Sequence, residues 1–351
     1  MGSAFAATSL PSHGSAQAVP PALAQFLTQT IGLDRDEMMA VSSGTSVVKV
    51  LEPADRLEIA VFGIERIDVP RSFYVRRASD FPAALRTATR LRVGVFSDPA
   101  VAADVATLSL AHDDVQDLTH CRAGACKLKL PADAIARVQE AVHEGSASAD
   151  SLANAFFRAR IVEYVTAYRA RGDSALVVYG DQSSPTAAAQ VFAAMLSRSP
   201  YMYQYAPSLE RYLRHYPNDR PADVREALFW AEDAPSGVKS TLTIAHEVVY
   251  APPELPGVTF IATKQIYADH YLDGALSLTA IVDAAEDQAA GRAGVYLVVL
   301  RRVHLDALPS SGPINLRGKV IGSVRDRTAA WLRETKTQSE GAYASAPALA
   351  R

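Results

Sequence analysis

The densest collection of side chains able to move protons lies in one run of ten residues, KQIYADHYLD at 264–273. An imidazole acts as a general base when a carboxylate orients it, and a phenol or ammonium can serve as acid or electrostatic stabiliser. Here His270 has Asp269 beside it and Asp273 three residues on, with Tyr267 and Lys264 upstream. If the chain is an enzyme, His270, Tyr267 and Asp273 are its catalytic candidates. A second signal is basic charge on apolar strand faces. Side chains alternate along a strand, so every second residue shares a face. His246 falls among Leu242, Ile244, Val248 and Tyr250; Lys264 among Phe260, Ala262, Ile266 and Ala268; Arg301 among Leu297, Val299, Val303 and Leu305. Burying an unpaired charge costs several kcal/mol, so each group must be paired, hydrated or aimed outward. Singly, a satisfied core histidine and two side chains snorkelling to solvent explain them. Three strands that each place one basic group on an apolar face point to a shared pocket. The ligand-binding candidates are therefore His246, Lys264 and Arg301, with Tyr250, Tyr271 and Glu232. Glu232 is the nominated carboxylate partner of Lys264.

Other signatures are missing. The sequence has no GxSxG elbow, phosphate-cradling glycine loop, dinucleotide fingerprint or HExxH. No cofactor is implied. No metal is implied either, because His246, His270 and Asp273 follow no ligand spacing. The net charge of −3 and basic residues that occur mostly in pairs, such as Arg76-Arg77 and Arg301-Arg302, give no polyanion-attracting field, so nucleic acid is not an expected partner. No apolar run approaches the ~18–20 residues of a transmembrane helix. The two cysteines, Cys121 and Cys126 in HCRAGAC, sit at a spacing that suits a small disulfide loop; reduced thiols or half a metal site are the alternatives. The small, polar, proline-bearing start, MGSAFAATSLPSHGSAQAVPPA, is not an intact signal peptide and reads as a stub of a mature exported protein. Localisation is then periplasmic or secreted, which favours the disulfide.

The elements that must position these residues follow from periodicity. Residues 1–20 read as a disordered stub, 21–336 as a single α+β domain and 337–351 as a flexible tail. A helical stretch at 20–44 precedes two strands, 46–51 and 56–69, and a helix near 71–85. Residues 86–225 read as a large, mainly helical insertion with a strand at 90–96, a short strand at 174–180, and helices at 131–145, 151–172, 185–198 and 207–216. Tyr201, Tyr203, Tyr205 and Tyr212 lie between and upon the last two, as packing or as a binding mouth. From 226 the period becomes two, and 227–232, 239–252, 257–271, 274–284 and 293–306 form an antiparallel meander with short connections. A helix at 316–336 then carries Val320, Ile321, Val324, Ala329 and Leu332 toward one face of the sheet.

The stretches HCRAGACKLKLP, TKQIYADHYLD and VLRRVHLD resemble an uncharacterised family of exported bacterial proteins. That family has a C-x-x-G-x-C-x-x-K-L segment, an SKQIYASHYFD-like segment and an asparagine-arginine-serine-arginine strand. The resemblance spans about 30–336 and implies export. In the last motif Leu300-Arg301-Arg302-Val303 stands in place of the asparagine and serine, so the resemblance does not carry a polar role over to those two positions. The element order is similar to the helix-grip (START-like) lipid-binding fold: a curved antiparallel β-meander gripped by a long C-terminal helix. What this likeness implies is a binding or carrier protein for a hydrophobic or amphiphilic, lipid-like small molecule in a sheet–helix cavity. An anionic head group would sit on Lys264 and Arg301, with His246 and Tyr267 supplying hydrogen bonds. The alternative is a cyclase, isomerase or hydrolase acting through His270, Tyr267, Asp273 and Lys264 in the same cavity; a structural module with a solid core is a third reading.

Overall fold

The computed structural model describes residues 19–53, 55–85, 90–144, 148–234, 239–284, 293–307 and 316–346. Strands β1 (Val47–Leu51), β2 (Glu58–Ile67), β3 (Arg90–Val95), β6 (Arg225–Asp233), β7 (Thr241–Tyr250), β8 (Val258–Ala268), β9 (Leu272–Asp283) and β10 (Val295–Leu305) form one antiparallel sheet in the order β1-β2-β10-β9-β8-β7-β6-β3. Strands β4 (Val178–Tyr179) and β5 (Thr186–Ala187) pair separately. The meander from β6 to β10 follows the sequence pattern. Two pairings add to it. The strand expected at 90–96 within the segment 86–225 forms as β3 and adds an edge to the sheet beside β6. Strand β2 reaches the other end of the meander and pairs with β10.

The sheet is covered on both faces. One face, here the inner, lies under α5 (His112–His120), α6 (Ala132–Glu144), α7 (Ala149–Arg171), α8 (Ala188–Ser197), α9 (Pro200–Tyr205) and α10 (Pro207–His215), with the short α1 (Pro21–Gln25) and α2 (Arg35–Ser42) at its edge. Helix α7 shows why the sequence folds this way. Ser148 caps its start, and Ala153, Phe157, Ile161, Val165 and Tyr168 make a buried stripe at helical spacing. It stops at Gly172, whose φ is +57° and where a side chain would strike the Tyr216 carbonyl oxygen.

The outer face is covered by α3 (Arg71–Ala78), α4 (Phe81–Ala84) and the final helix α11 (Leu316–Ser345). Helix α11 lies across β1, β2 and β10. Leu332 clusters with Leu297 and Val299, and Val320, Ile321 and Val324 pack on Ile59, Val61 and Leu305. It comes close at Gly63, where a Cβ would fall 2.9 Å from Leu332 Cδ1. The helix runs to Ser345, nine residues past 336, so part of the expected loose tail is helical. Tyr343 explains the extension: it packs edge-on against Phe73 of α3 at 5.0 Å, giving the last turns an apolar contact. No helix among the described residues is long and apolar enough to cross a membrane.

Candidate functional site

Three polar groupings hold the residues singled out by sequence. The first is on the inner face. His246 and Lys264 are direct cross-strand partners. His246 is 1% exposed and fully satisfied: Tyr168 Oη donates to Nδ1 at 3.2 Å, leaving Nε2–H to donate to Glu226 at 3.1 Å. Tyr212 and Arg220 also bond Glu226. Burial lowers the pKa of His246 despite Glu226, so the ring is neutral. Lys264 is paired with Asp173, just past the end of α7, and also donates to the Leu213 carbonyl at 3.3 Å. Its carboxylate partner is thus Asp173 and not Glu232, which binds Arg92 at 2.6 Å at the far edge of the sheet. Burial lowers the Lys264 pKa, and Asp173 opposes that. Tyr250 is also buried on this face, opposite Phe260. Tyr168, Tyr212, Tyr216 and Phe192 fill the space around the pair.

Arg301 does not join them. Lys264 pairs with Leu276, and Leu276 pairs with Arg302, so Arg302 is the β10 arginine on the inner face. Arg302 is held by fully buried Glu58, by the Ser199 hydroxyl at 3.0 Å and by the Arg198 carbonyl. Arg301 faces outward under α11. Its guanidinium lies 4.6 Å from the centre of the Trp331 ring and has no carboxylate partner among the described residues. The proposed trio is therefore split between two faces of the sheet.

The second grouping is at the end of the sheet where β8 turns into β9. Tyr271 carries φ +60°, and the Leu272 N–H donates back to the His270 carbonyl at 2.6 Å, a tight three-residue turn. The turn sends alternate side chains apart. His270 bonds Asp114 of α5 at 3.2 Å, and Lys239 also pairs with Asp114. The partner of His270 is thus neither Asp269 nor Asp273. Burial works to lower the His270 pKa, but the hydrogen bond to Asp114 and the charge of Asp269 raise it overall. Burial pushes Asp269 up to about 7. Asp114, Asp269 and His270 lie within 4.8 Å of one another, a donor set compatible with a metal ion; the ammonium of Lys239 already occupies Asp114. Exposed Tyr271 accepts from the Lys239 N–H at 3.3 Å.

Asp273 points to a different partner, Lys129, which the sequence reading did not single out. Lys129 Nζ is 2.8 Å from Asp273 and 3.7 Å from both Asp181 and Asp306, and it lies 4.4 Å above the Tyr179 ring. His304 Nδ1 sits 3.0 Å from the other Asp273 oxygen. Tyr267 donates to the Lys129 carbonyl at 3.0 Å and is buried among Tyr164, Tyr179 and Phe157. A β-bulge opposite Ile244 and Ala245 brings Tyr267 to the inner side, against strict alternation. Burial raises Asp181, opposed by Lys129; burial also works to raise Asp273, but bonds from His304 and Lys129 leave it low. Cys121 and Cys126 form the disulfide, and their loop docks beside this group through Gly124 N–H to Gly180 O and Cys126 N–H to Asp181 O. A shallow depression of 340 Å³ lies between residues 124–127 and 181–183.

The third grouping is a row across the outer face. Glu247, Thr263, Ser277 and Arg301 are successive cross-strand partners on β7, β8, β9 and β10. All four are half-buried. Helix α11 bounds the row at Trp331, α3 bounds it with Tyr74, and α4 closes the far side with Phe81 and Leu85 against Phe229 and Ala245. One step along β8, Gln265 is 8% exposed, and its Nε2 has no hydrogen-bond partner among the described residues. Its cross-strand neighbours, Ala245 and Ala275, offer no side-chain acceptor. Burial raises Glu247 to about 7, and burial alone lowers Arg301 to about 10. Burial outweighs the Thr263 hydroxyl and the charge of Arg90 at Glu247 and is unopposed at Arg301, in contrast to the closed ion pairs of the inner face.

No protein-family model matches this chain, and no curated protein matches its sequence.

Proposed function

We propose that this chain is a binding protein for an amphiphilic organic anion, held against the outer face of the sheet under the C-terminal helix. The observation that carries the reading is Arg301: a half-buried guanidinium on an aromatic ring, with no carboxylate among the described residues. An arginine kept this way is short of one bidentate acceptor, which a carboxylate, sulfate or phosphate head group supplies. Ala275, Val303 and Trp331 lie half-exposed beside it, with Ile261 two strands away on the same face, and would take the apolar part. Lys264, His246 and Tyr250 then serve the fold, since their polar groups are committed to Asp173, Glu226 and the packing beneath α7 and α10. A long helix lying across an antiparallel meander fits the helix-grip likeness drawn from the sequence. A periplasmic or secreted location is part of the proposal and is supported by the Cys121–Cys126 disulfide.

The test is native mass spectrometry and solvent extraction of protein purified from a bacterial host, beside Arg301→Met. The native chain is expected to carry an extractable acidic amphiphile, and the variant to be folded and empty. Equal ligand content in both, or none in the native chain even after incubation with fatty acids, sinks the reading.

A second reading has one observation in its favour. Asp181 and Asp273 face the same ammonium with pKa values displaced in opposite directions, the pattern of an acid–base pair. An enzyme centred on Lys129 would have Asp181 and Asp273 in those roles beside the 340 Å³ depression. It predicts that Asp181→Asn abolishes turnover of whatever substrate is found and leaves amphiphile binding intact.

A further inference from the structure

Resting on the outer-face reading, we propose that the ligand is two-ended: an elongated amphiphile with its anionic group on Arg301 and a hydroxyl at the opposite end, held by Glu247 and Gln265.

The argument is one of spacing and of what each end lacks. Arg301 and Glu247 stand at the two ends of a row crossing four strands. Neighbouring strands are ~4.8 Å apart, so the two backbones are about 14 Å apart. A single head group cannot touch both. Between them the row offers only the hydroxyls of Thr263 and Ser277 and, alongside, the apolar Ile261 and Ala275. Thr263 is already committed to Glu247 at 3.1 Å.

At the far end the two groups differ in what they supply. Glu247 pairs across the strand with Thr263, and Gln265 is two residues on, so the two side chains are diagonal neighbours on one face. The Gln265 amide has a donor with no acceptor, and a buried donor left unmade is costly. Glu247 carries a carboxyl that burial keeps protonated for part of the time near neutral pH, so it can give or take a proton in a hydrogen bond. A hydroxyl matches both neighbours at once. Its oxygen accepts from Gln265 Nε2 and its proton goes to Glu247. A second anion does not match, because it would face the Glu247 carboxyl. A bare methyl terminus does not match either, because it leaves the amide unpaired. The chemical class is thus a hydroxy acid with a long apolar spacer.

The experiment is isothermal titration with octanoic, dodecanoic and hexadecanoic acids and their ω-hydroxy counterparts. With the native chain, the hydroxy acid of best-fitting length should bind about tenfold more tightly than its parent, the equivalent of one well-made hydrogen bond. The advantage should peak at one length, because both ends are fixed. Gln265→Leu and Glu247→Leu, each checked for folding by thermal melting, should each erase the advantage by weakening the hydroxy acid relative to its parent. Equal affinity for parent and hydroxy acids at every length overturns the two-ended ligand while leaving the Arg301 site standing. So does an advantage that survives both variants. Failure of all six acids to bind the native chain overturns the underlying site, and with it the inference.

Discussion

Glu247 makes stability depend on pH in a direction opposite to that of most surface carboxylates. Its pKa is 4.5 in an unfolded chain and burial raises it to about 7. Below pH 4.5 both states hold the proton, and the residue costs nothing. Between 4.5 and 7 the unfolded chain gives up its proton while the folded chain keeps it. The folded state then binds more protons, so stability falls as pH rises, and above 7 the cost is constant. At 1.36 kcal/mol per pKa unit the full cost is about 3 kcal/mol. Glu247 still reaches solvent at one edge, and screening there brings the expected value to about 2 kcal/mol. Glu247→Gln keeps the shape and deletes the titration. Urea unfolding of both proteins at pH 4, 6 and 8 should show equal stabilities at pH 4, and a variant more stable than the native chain by about 2 kcal/mol at pH 8. Asp269 is displaced in the same direction, but it is present in both proteins and cancels in the difference. A difference that stays flat across this range refutes the argument that burial at Glu247 outweighs the Thr263 hydroxyl and the charge of Arg90, and with it the idea that this end of the row awaits a partner.

Two more outcomes follow from the pairs described above. Lys264→Met strands Asp173, which retains some solvent contact, so the loss should sit near the low end for a broken buried pair, about 3 kcal/mol by chemical denaturation. It should leave amphiphile binding unchanged, because Lys264 is on the face opposite Arg301; full stability of the variant would return Lys264 to the solvent-seeking class. Replacing Cys121 and Cys126 together by serine opens a very short loop and should cost about 2 kcal/mol, read from the denaturant midpoint, with no free thiol detectable in the unfolded, unreduced native chain.

Much of the architecture was legible because each element advertises its period. Strands β7 to β10 are runs of ten to twelve residues rich in β-branched side chains, α7 repeats its apolar positions every three or four residues, and Gly172 marks its end. Site residues were harder to read, for two physical reasons. The first is that the sheet is buried on both faces, so an apolar run on either side of a strand looks the same. Which face Arg301 shares with Lys264 depends on register, and the chain Lys264–Leu276–Arg302 exists only once the strands are paired. The bulge beside Ala245 then moves Tyr267 against the expected parity. The second reason is distance along the chain. Asp173 is 91 residues from Lys264, Lys129 is 144 from Asp273 and Asp114 is 156 from His270. No local spacing encodes such pairs. Lys129 did lie inside a stretch quoted for its resemblance, HCRAGACKLKLP, which meets the other two, through Asp273 and through His304 and Asp306, around one ammonium.

The pairing of β2 with β10 also sets a schedule for the chain. Val61 and Arg301 are direct partners, as are Ile67 and Val295, so β2 waits for residues more than two hundred positions later in the chain. Closing a loop that long costs entropy before any contact repays it, and topologies of this kind fold slowly. Until β10 emerges, β2 has β1 on one side and a bare edge on the other, an exposed template for mispairing. A chain of this design cannot close its sheet until β10 is available, and until then the free edge of β2 must be kept from mispairing. Truncations that remove β10 should then yield aggregates, not a smaller folded unit.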